Sequence, residues 1–465
     1  MGENKYYARM EHSWYKRLLT PQWFIIATVA LPILVGTFLL MLPCATQSGE
    51  WGGALTALFM ATSAMCVTGH TVVDPGSFYS HFGQGVLLVL TQVGGLGFMT
   101  MAMTFLIIAG RRLSLRNETA ITFSMGMRDV PEIKRFLLRT IILSLFIELC
   151  GALVMALCLM LNRGFPALTA LYHGVFHSIC AFCNAGFSLY PDNLVSLRDD
   201  RLFLAVAGLL IVLGGIGFLV LSEYYYERRT RRQKHMVLSL HSRIALWGTL
   251  ILILAGWAAF ALLEWNNTLA ALAPADRLAD ALFQSVSART AGFNVVDMAQ
   301  TQPGTRFMMM VLMFIGGCPG STAGGVKITT AVVLVFTSLA MIRNQRNIVI
   351  MGRTVSAGVS GAATAVFLIS FLAVIGLFGV LLLTEQEGLM AGRFSYDCLL
   401  FDTVSAFGTV GLSAGIMPLL SAPGKLVVIL LMFIGRVGPL TLALFIGMKD
   451  QRELIRYPQE DVIIG

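Results

Sequence analysis

Charge is what this sequence most lacks. Asp, Glu, Lys and Arg make up 12% of its 465 residues, against 56% hydrophobic residues, and the mean hydropathy is +0.76. Typical soluble domains carry roughly twice that share of charge, so a water-surrounded globule is excluded and the bilayer is the expected solvent. Metal-ligand spacing is also missing. The eight cysteines include one C-x-x-C, Cys180 and Cys183, in an apolar stretch with no second pair, which reads as structural rather than as zinc or redox chemistry. No Walker phosphate-binding sequence occurs, and His70, His81, His173, His177, His235 and His241 form no cluster with Asp or Glu. An enzyme is therefore not expected, and any nucleotide control has to come from another chain. The first long apolar segment is not followed by a small-residue cleavage site, so a cleavable signal peptide is not expected either.

Long apolar runs are what the chain does contain. Residues 24–43, 83–109, 202–221, 244–263 and 354–384 carry no charge; 141–162 carries only Glu148, 426–448 only Arg436, and 307–342 is interrupted. Each run is long enough to cross a hydrocarbon core of about 30 Å at 1.5 Å per residue, so eight spans are expected. Of 33 Lys and Arg, 23 fall before residue 18, in 111–139, 228–243 and 343–353, and after 448. These are alternate loops, which the positive-inside rule makes cytoplasmic together with both termini. The net charge of +8 thus sets topology and contact with membrane lipid, and does not mark a nucleic-acid surface.

A short phrase recurs four times: Val67-Thr68-Gly69-His70, Asn184-Ala185-Gly186-Phe187, Thr290-Ala291-Gly292-Phe293 and Thr409-Val410-Gly411-Leu412. Each is followed 24 to 28 residues later by a second glycine signal, at Gly94-Gly95-Leu96-Gly97, Gly214-Gly215-Ile216-Gly217, Gly316-Gly317 and Gly435-Arg436-Val437-Gly438. Each is preceded by a mildly apolar stretch, 54–65, 170–182, 279–288 and 397–407, too short to span. The pattern predicts an all-α polytopic membrane protein of four consecutive span–pore helix–span repeats around a central pore, with pseudo-fourfold symmetry. The repeats are 21–115, 116–235, 236–346 and 347–448, flanked by cytoplasmic segments 1–20 and 449–465.

Non-helical backbone at membrane depth is tolerated only where it is buried in protein or lines a water-filled path. Four short helices ending at four such loops aim the negative ends of their dipoles at one place, which attracts a cation. Glycine then permits the positive φ that turns backbone carbonyls inward to replace water around a monovalent ion. The expected selectivity filter is Val67, Thr68, Gly69, Asn184, Ala185, Gly186, Thr290, Ala291, Gly292, Thr409, Val410 and Gly411, with K+ held at the glycines. Asp74, Asp192 and Asp297 follow their filter glycines by five or six residues and are expected at the outer mouth. The second glycine signals read equally as close helix packing.

Gly316, Gly317, Cys318, Pro319, Gly320, Ser321, Thr322, Ala323, Gly324 and Gly325 cannot continue a helix, so the span over 307–342 must break there. The break lies just beyond the filter, where an intramembrane loop would obstruct the pore as a gate. Arg436 is a charge at membrane depth: it either faces the pore below the filter or pairs with a carboxylate such as Glu148. Lys327 either serves similarly or snorkels to the cytoplasm. Arg289 is expected to brace the third loop by donating to carbonyls or by pairing with Asp297.

The fourfold repeat, the run His177-Ser178-Ile179-Cys180-Ala181-Phe182-Cys183-Asn184-Ala185-Gly186-Phe187 and the run Gly316-Gly317-Cys318-Pro319-Gly320-Ser321-Thr322-Ala323-Gly324-Gly325-Val326-Lys327 resemble the Trk/Ktr/HKT superfamily of potassium transporters. About 20 residues precede the first span, which resembles the Ktr branch, since Trk proteins carry an extra N-terminal helix pair. The resemblance implies a homodimer in the bacterial inner membrane, each subunit with its own pore. It also implies a KtrA-type ring of cytosolic nucleotide-binding subunits, with ATP or ADP bound on the ring only, and possible stimulation by Na+. Two positions depart from the family pattern: His70 stands where Phe187, Phe293 and Leu412 stand in the other loops, and Cys318 replaces a common serine. The competing expectation is a secondary transporter of another cation or a small solute, which would usually show two inverted halves.

Overall fold

The computed structural model describes residues 21–109, 130–223, 238–345 and 347–438. The terminal segments, and most of the basic segments that carry the topology expectation, lie outside the described residues. The helices are α1 (Pro21–Met41), α2 (Ala54–Met65), α3 (His81–Ala109), α4 (Val130–Arg163), α5 (Ala167–Phe182), α6 (Arg201–Ile216), α7 (Leu240–Glu264), α8 (Pro274–Ser287), α9 (Pro303–Phe314), α10 (Ile328–Ile342), α11 (Ala357–Thr384), α12 (Tyr396–Gly408) and α13 (Ala422–Val437). Their starts follow local chemistry: Asp200, Ser239 and Ser421 cap α6, α7 and α13 with side-chain oxygens, and α8 and α9 open on proline, which lacks the donor a first turn leaves unpaired.

Among the described residues, three helices are long and apolar enough to cross a membrane, over Leu138–Arg163, Leu240–Glu264 and Ala357–Thr384. The expected run 202–221 is not one helix. It stops at Ile216, and Gly217 takes φ 101° before residues 218–223 resume. In the run 426–448 a helix ends at Val437 with Gly438 at φ 92°, and residues 439–448 lie outside the described residues. The third interruption leaves α9 and α10 flanking residues 315–327. One departure from an all-α chain is a small antiparallel hairpin, β1 (Ile348–Ile350) with β2 (Arg353–Val355), pairing Ile348 with Val355 and Ile350 with Arg353. The expected span from residue 354 accordingly begins only at Ala357, after Ser356.

The C-terminal parts of the four short helices α2, α5, α8 and α12 are buried. Each packs on the long helix before it or after it, and the contacts also run from one quarter to the next. Helix α3 packs on α5, α6 on α8, α9 on α12, and α13 returns to α2. Phe59, Phe176, Phe182, Phe187, Phe293, Phe401 and Phe407 are fully buried among these helices. Outer faces are apolar as well: on α11, Leu372 is 66% and Leu383 76% exposed. With lipid as apolar as leucine, the short helices are held by close packing rather than by escape from solvent.

Candidate functional site

Each short helix is cut off by the same backbone sequence. Val67, Asn184, Thr290 and Thr409 take left-handed φ of 55°, 59°, 70° and 49°, and two residues later Gly69, Gly186, Gly292 and Gly411 take 91°, 66°, 78° and 91°. Alternation of hand along three residues turns successive carbonyls to one side. The left-handed state costs a β-branched residue such as Val67 or Thr290 about 1–3 kcal/mol, so the surroundings must impose it. They do so through the middle residue. The N–H groups of Thr68, Ala185, Ala291 and Val410 donate to the carbonyls of Ser63, Cys180, Ser287 and Ser405 at 2.8, 2.7, 2.9 and 2.9 Å. Gly69 and Gly411 N–H groups donate to the Ser63 and Ser405 hydroxyls at 3.1 and 3.2 Å.

The loops meet in a ring. A Cβ on Gly69 would stand 2.2 Å from the Ala185 carbonyl oxygen, on Gly186 2.8 Å from that of Ala291, on Gly292 2.3 Å from that of Val410, and on Gly411 2.1 Å from that of Thr68. Loop one touches two, two touches three, three touches four, and four touches one. Side chains are excluded because neighbouring backbone already fills the space. The hydroxyls of Thr68, Thr290 and Thr409 are buried with no hydrogen-bond partner among the described residues. An unsatisfied buried hydroxyl is costly, and an uncharged, all-oxygen set of carbonyls and hydroxyls suits a dehydrated monovalent cation. Among the described residues, no group of three His, Cys, Asp or Glu could hold a metal ion.

Between α9 and α10 the chain folds back on itself. Gly316 N–H donates to Val326 O at 2.8 Å, Val326 N–H to Phe314 O at 3.2 Å, and Ile328 N–H to Gly317 O at 3.1 Å, which closes the base of a loop. Its body is tied to the break in α6. Cys318 N–H reaches Gly215 O at 3.0 Å, and Phe218 N–H reaches Gly320 O at 2.9 Å. At the other end, a Cβ on Gly324 would stand 2.0 Å from Thr409 Oγ1 in the fourth glycine loop. The loop thus bridges the second quarter and the fourth, beside the glycine ring.

Three cationic side chains hold its carbonyls. Arg436 is buried and donates to Thr322 O in the loop and to Gly94 O on α3. Arg289 donates to Gly316 O at 3.0 Å, and Lys327 donates to Ala323 O at 2.6 Å and Gly324 O at 3.4 Å.

A sequence profile of cation transport proteins, TrkH, matches residues 1–457. The chain belongs to the TrkH family of cation transport proteins. It is 38% identical over 450 residues to the Ktr system potassium uptake protein B of Bacillus subtilis (strain 168), covering 96% of this chain and 97% of that one. It is 37% identical over 436 residues to the protein of that name from Vibrio alginolyticus, covering 93% and 92%. The potassium/sodium uptake protein NtpJ of Enterococcus hirae is 34% identical over 454 residues, covering 97% and 98%. The crystal structure of the potassium transporter TrkH from Vibrio parahaemolyticus superposes with TM-score 0.69 at 19% identity, over 92% of this chain and 85% of that one, which shows a shared fold. As a TrkH-family member the chain is a membrane transporter rather than an enzyme.

Several residues expected at the site of this TrkH-family chain have different partners. Glu148 accepts from Gln92 Nε2 at 3.1 and 2.9 Å, so the pairing of Arg436 with Glu148 is not formed; Arg436 needs two carbonyls and takes them from the loop and α3. Arg289 donates to Gly316 O in the loop after α9 rather than to the third glycine loop, while Asp297 accepts from Ala299 N–H and Gln300 Nε2, both at 3.0 Å. Asp74 accepts from Gly76 and Ser77 N–H at 3.3 and 3.1 Å, and Asp192 from Ser196 Oγ at 3.0 Å, so both shape loop turns. Cys318 is buried, with its thiol 3.7 Å from Thr249 Oγ1. His70 is buried with both ring nitrogens unpartnered among the described residues. Sequence reasoning passed over Asp402, which is buried and accepts from Ser413 Oγ at 2.7 Å and Ala414 N–H at 2.8 Å, ordering the chain after the fourth glycine loop. The available signal was a carboxylate in the middle of the apolar stretch 397–407, apart from Asp397 at its start.

The second glycine signals do pack closely. A Cβ on Gly94, Gly214 or Gly435 would stand 2.1, 1.9 or 1.9 Å from the carbonyl oxygen of Met65, Phe182 or Phe407, each four residues before a loop glycine. Gly214→Ala and Gly435→Ala should therefore lose folded protein from the membrane, read by detergent-resistant yield and size-exclusion profile. Gly376→Ala, where a Cβ meets nothing within 4 Å, should match the wild type.

Proposed function

We propose that this chain is the potassium-selective, ion-conducting subunit of a bacterial Ktr-type potassium uptake system, built as four repeats, 21–115, 116–235, 236–346 and 347–448, around one pore. The ring of contacts among Gly69, Gly186, Gly292 and Gly411 carries this reading, because it gathers four sets of inward-turned carbonyls and three unpartnered hydroxyls in one place. The names of the Bacillus subtilis and Vibrio alginolyticus relatives as potassium uptake proteins support the choice of ion. Val67, Thr68, Asn184, Ala185, Thr290, Ala291, Thr409 and Val410 complete the filter, and Asp74, Asp192 and Asp297 stand on the turns that follow its loops.

The loop Gly316–Gly325 acts as a gate, with Arg436, Arg289 and Lys327 as its fastenings. Those three side chains are the right donors for a loop made mostly of carbonyl groups and glycine. The protein works in the bacterial inner membrane with both termini cytoplasmic, as a homodimer, and takes its control from a KtrA-type cytosolic ring that binds ATP or ADP. Sodium stimulates it, a reading supported by the potassium/sodium uptake name of the Enterococcus hirae relative.

The test is growth at low potassium, with rubidium uptake, in a bacterium stripped of its own potassium uptake systems, with and without sodium and the cytosolic partner. Expected is growth that requires the chain and is strengthened by the partner. Membrane-inserted protein that passes no potassium alongside its partner overturns the assignment.

A further inference from the structure

Asn193 lies outside every motif of the filter, yet its side chain reaches two filter glycines at once. Its Nδ2 stands 3.3 Å from Gly186 O and 3.4 Å from Gly292 O, carbonyls of the second and third loops. The amide cannot swing away. Its Oδ1 accepts the Asn294 N–H at 3.3 Å, and Leu194 N–H donates to Asn294 O at 3.2 Å, so the chain after loop two is stitched to the chain after loop three. The backbone of Asn193 is itself constrained, with φ 62°, its N–H on Tyr190 O at 3.1 Å and its carbonyl accepting from Ser188 Oγ at 2.8 Å. Ser188 Oγ in turn stands 3.1 Å from His177 Nε2 on α5, the helix that leads into loop two. Among the described residues, the carbonyls of Gly69 and Gly411 accept no side-chain donor.

We infer that Asn193 is a positioning residue for ion selectivity, which holds the outer carbonyls of loops two and three and leaves those of loops one and four free. This rests on the potassium-filter reading above. A carbonyl that accepts a hydrogen bond from behind is fixed in direction and shares its lone-pair density, so it offers an ion a weaker and stiffer ligand than a free one. Selectivity for a larger over a smaller monovalent cation depends on the number, field strength and freedom of such oxygens. Two held and two free carbonyls therefore set how far the ring can contract around sodium. Without the amide, all four can close in, and sodium gains.

Two variants separate this from a merely structural role. Asn193→Asp keeps the shape and the acceptor for Asn294 N–H but loses both donors. Asn193→Gly keeps the left-handed backbone and removes the side chain without adding charge. The readout is the ratio of sodium to potassium flux in proteoliposomes, with the amount of inserted protein measured alongside. Both variants are expected to raise that ratio about five-fold, the weight of one neutral hydrogen bond. An unchanged ratio in both variants, at whatever uptake rate, overturns the inference, as does a change in the aspartate variant alone, which would be an effect of charge. A wild type that carries no potassium overturns the filter reading and this inference with it. A wild type that carries potassium beside unaltered variants overturns the inference alone.

Discussion

Gly69→Ser and Gly411→Ser are expected to abolish growth at low potassium and to lower rubidium uptake by about 100-fold, since strain and displacement worth about 3 kcal/mol correspond to two decades. At both positions φ is 91°, and a Cβ would lie 2.2 Å from Ala185 O or 2.1 Å from Thr68 O. The obstacle is backbone, which on the filter reading is itself a cation ligand and cannot yield without spoiling the ring. Gly186 differs. Its φ of 66° lies in the ordinary left-handed well, and its Cβ would stand 2.8 Å from Ala291 O. Gly186→Ser, whose Cβ would also meet Gly292 Cα at 2.9 Å, should lower uptake by less, about ten-fold, while admitting more sodium, a loss near 1.4 kcal/mol. Equal damage at all four glycines would show that the ring does not have this graded geometry. Rubidium and sodium uptake by equal amounts of inserted protein decides the matter.

The second large effect concerns the fastening of the loop. Arg436→Gln removes the fork that joins Thr322 O to Gly94 O, and deletion of residues 319–323 removes the loop body itself. Each change should raise uptake without the cytosolic partner by about ten-fold, which corresponds to freeing an obstruction held by roughly 1.4 kcal/mol. Their combination should add little, because both release the same obstacle. Arg436→Lys should fall between wild type and glutamine, as an ammonium on a flexible stem presents no planar fork for two carbonyls. Should the glutamine variant lower the yield of folded protein, the deletion still decides. Unchanged uptake and unchanged control by the partner in the deletion variant would show that the loop does not gate.

Much of this arrangement is legible in the residues. The stretch 54–65 is helix α2 with the same bounds, and the other three short stretches fall within α5, within α12 and, except for residue 288, within α8, because length and apolarity are local properties. The break after Phe314 is legible for the same reason: ten residues with five glycines and a proline cannot be helix. What local pattern does not carry is anything set by a neighbour across the molecule. The closing of the ring is of this kind: Gly69 lies against the carbonyl of Ala185 and Gly411 against that of Thr68, residues far apart in sequence. The break at Gly217 falls in an uninterrupted apolar run, and there the freed N–H of Phe218 is taken up by Gly320 O, far away in sequence. The destination of Arg436 is likewise invisible: burial predicts a partner, and only the fold shows that it is a pair of carbonyls rather than Glu148.

The glycine ring has four corners, and on the gate reading one loop among the described residues, Gly316–Gly325, obstructs the pore they surround. A pore blocked by four equivalent arms opens only when all four clear, so its open probability rises with the fourth power of each arm's displacement and its response to a regulator is steep. A single arm sets a different law. One displacement frees the whole conduit, partial clearance has no intermediate stage, and the open fraction follows the occupancy of the activating state in direct proportion. On this reading, steepness in the response would have to come from whatever moves the arm, and not from the conduit.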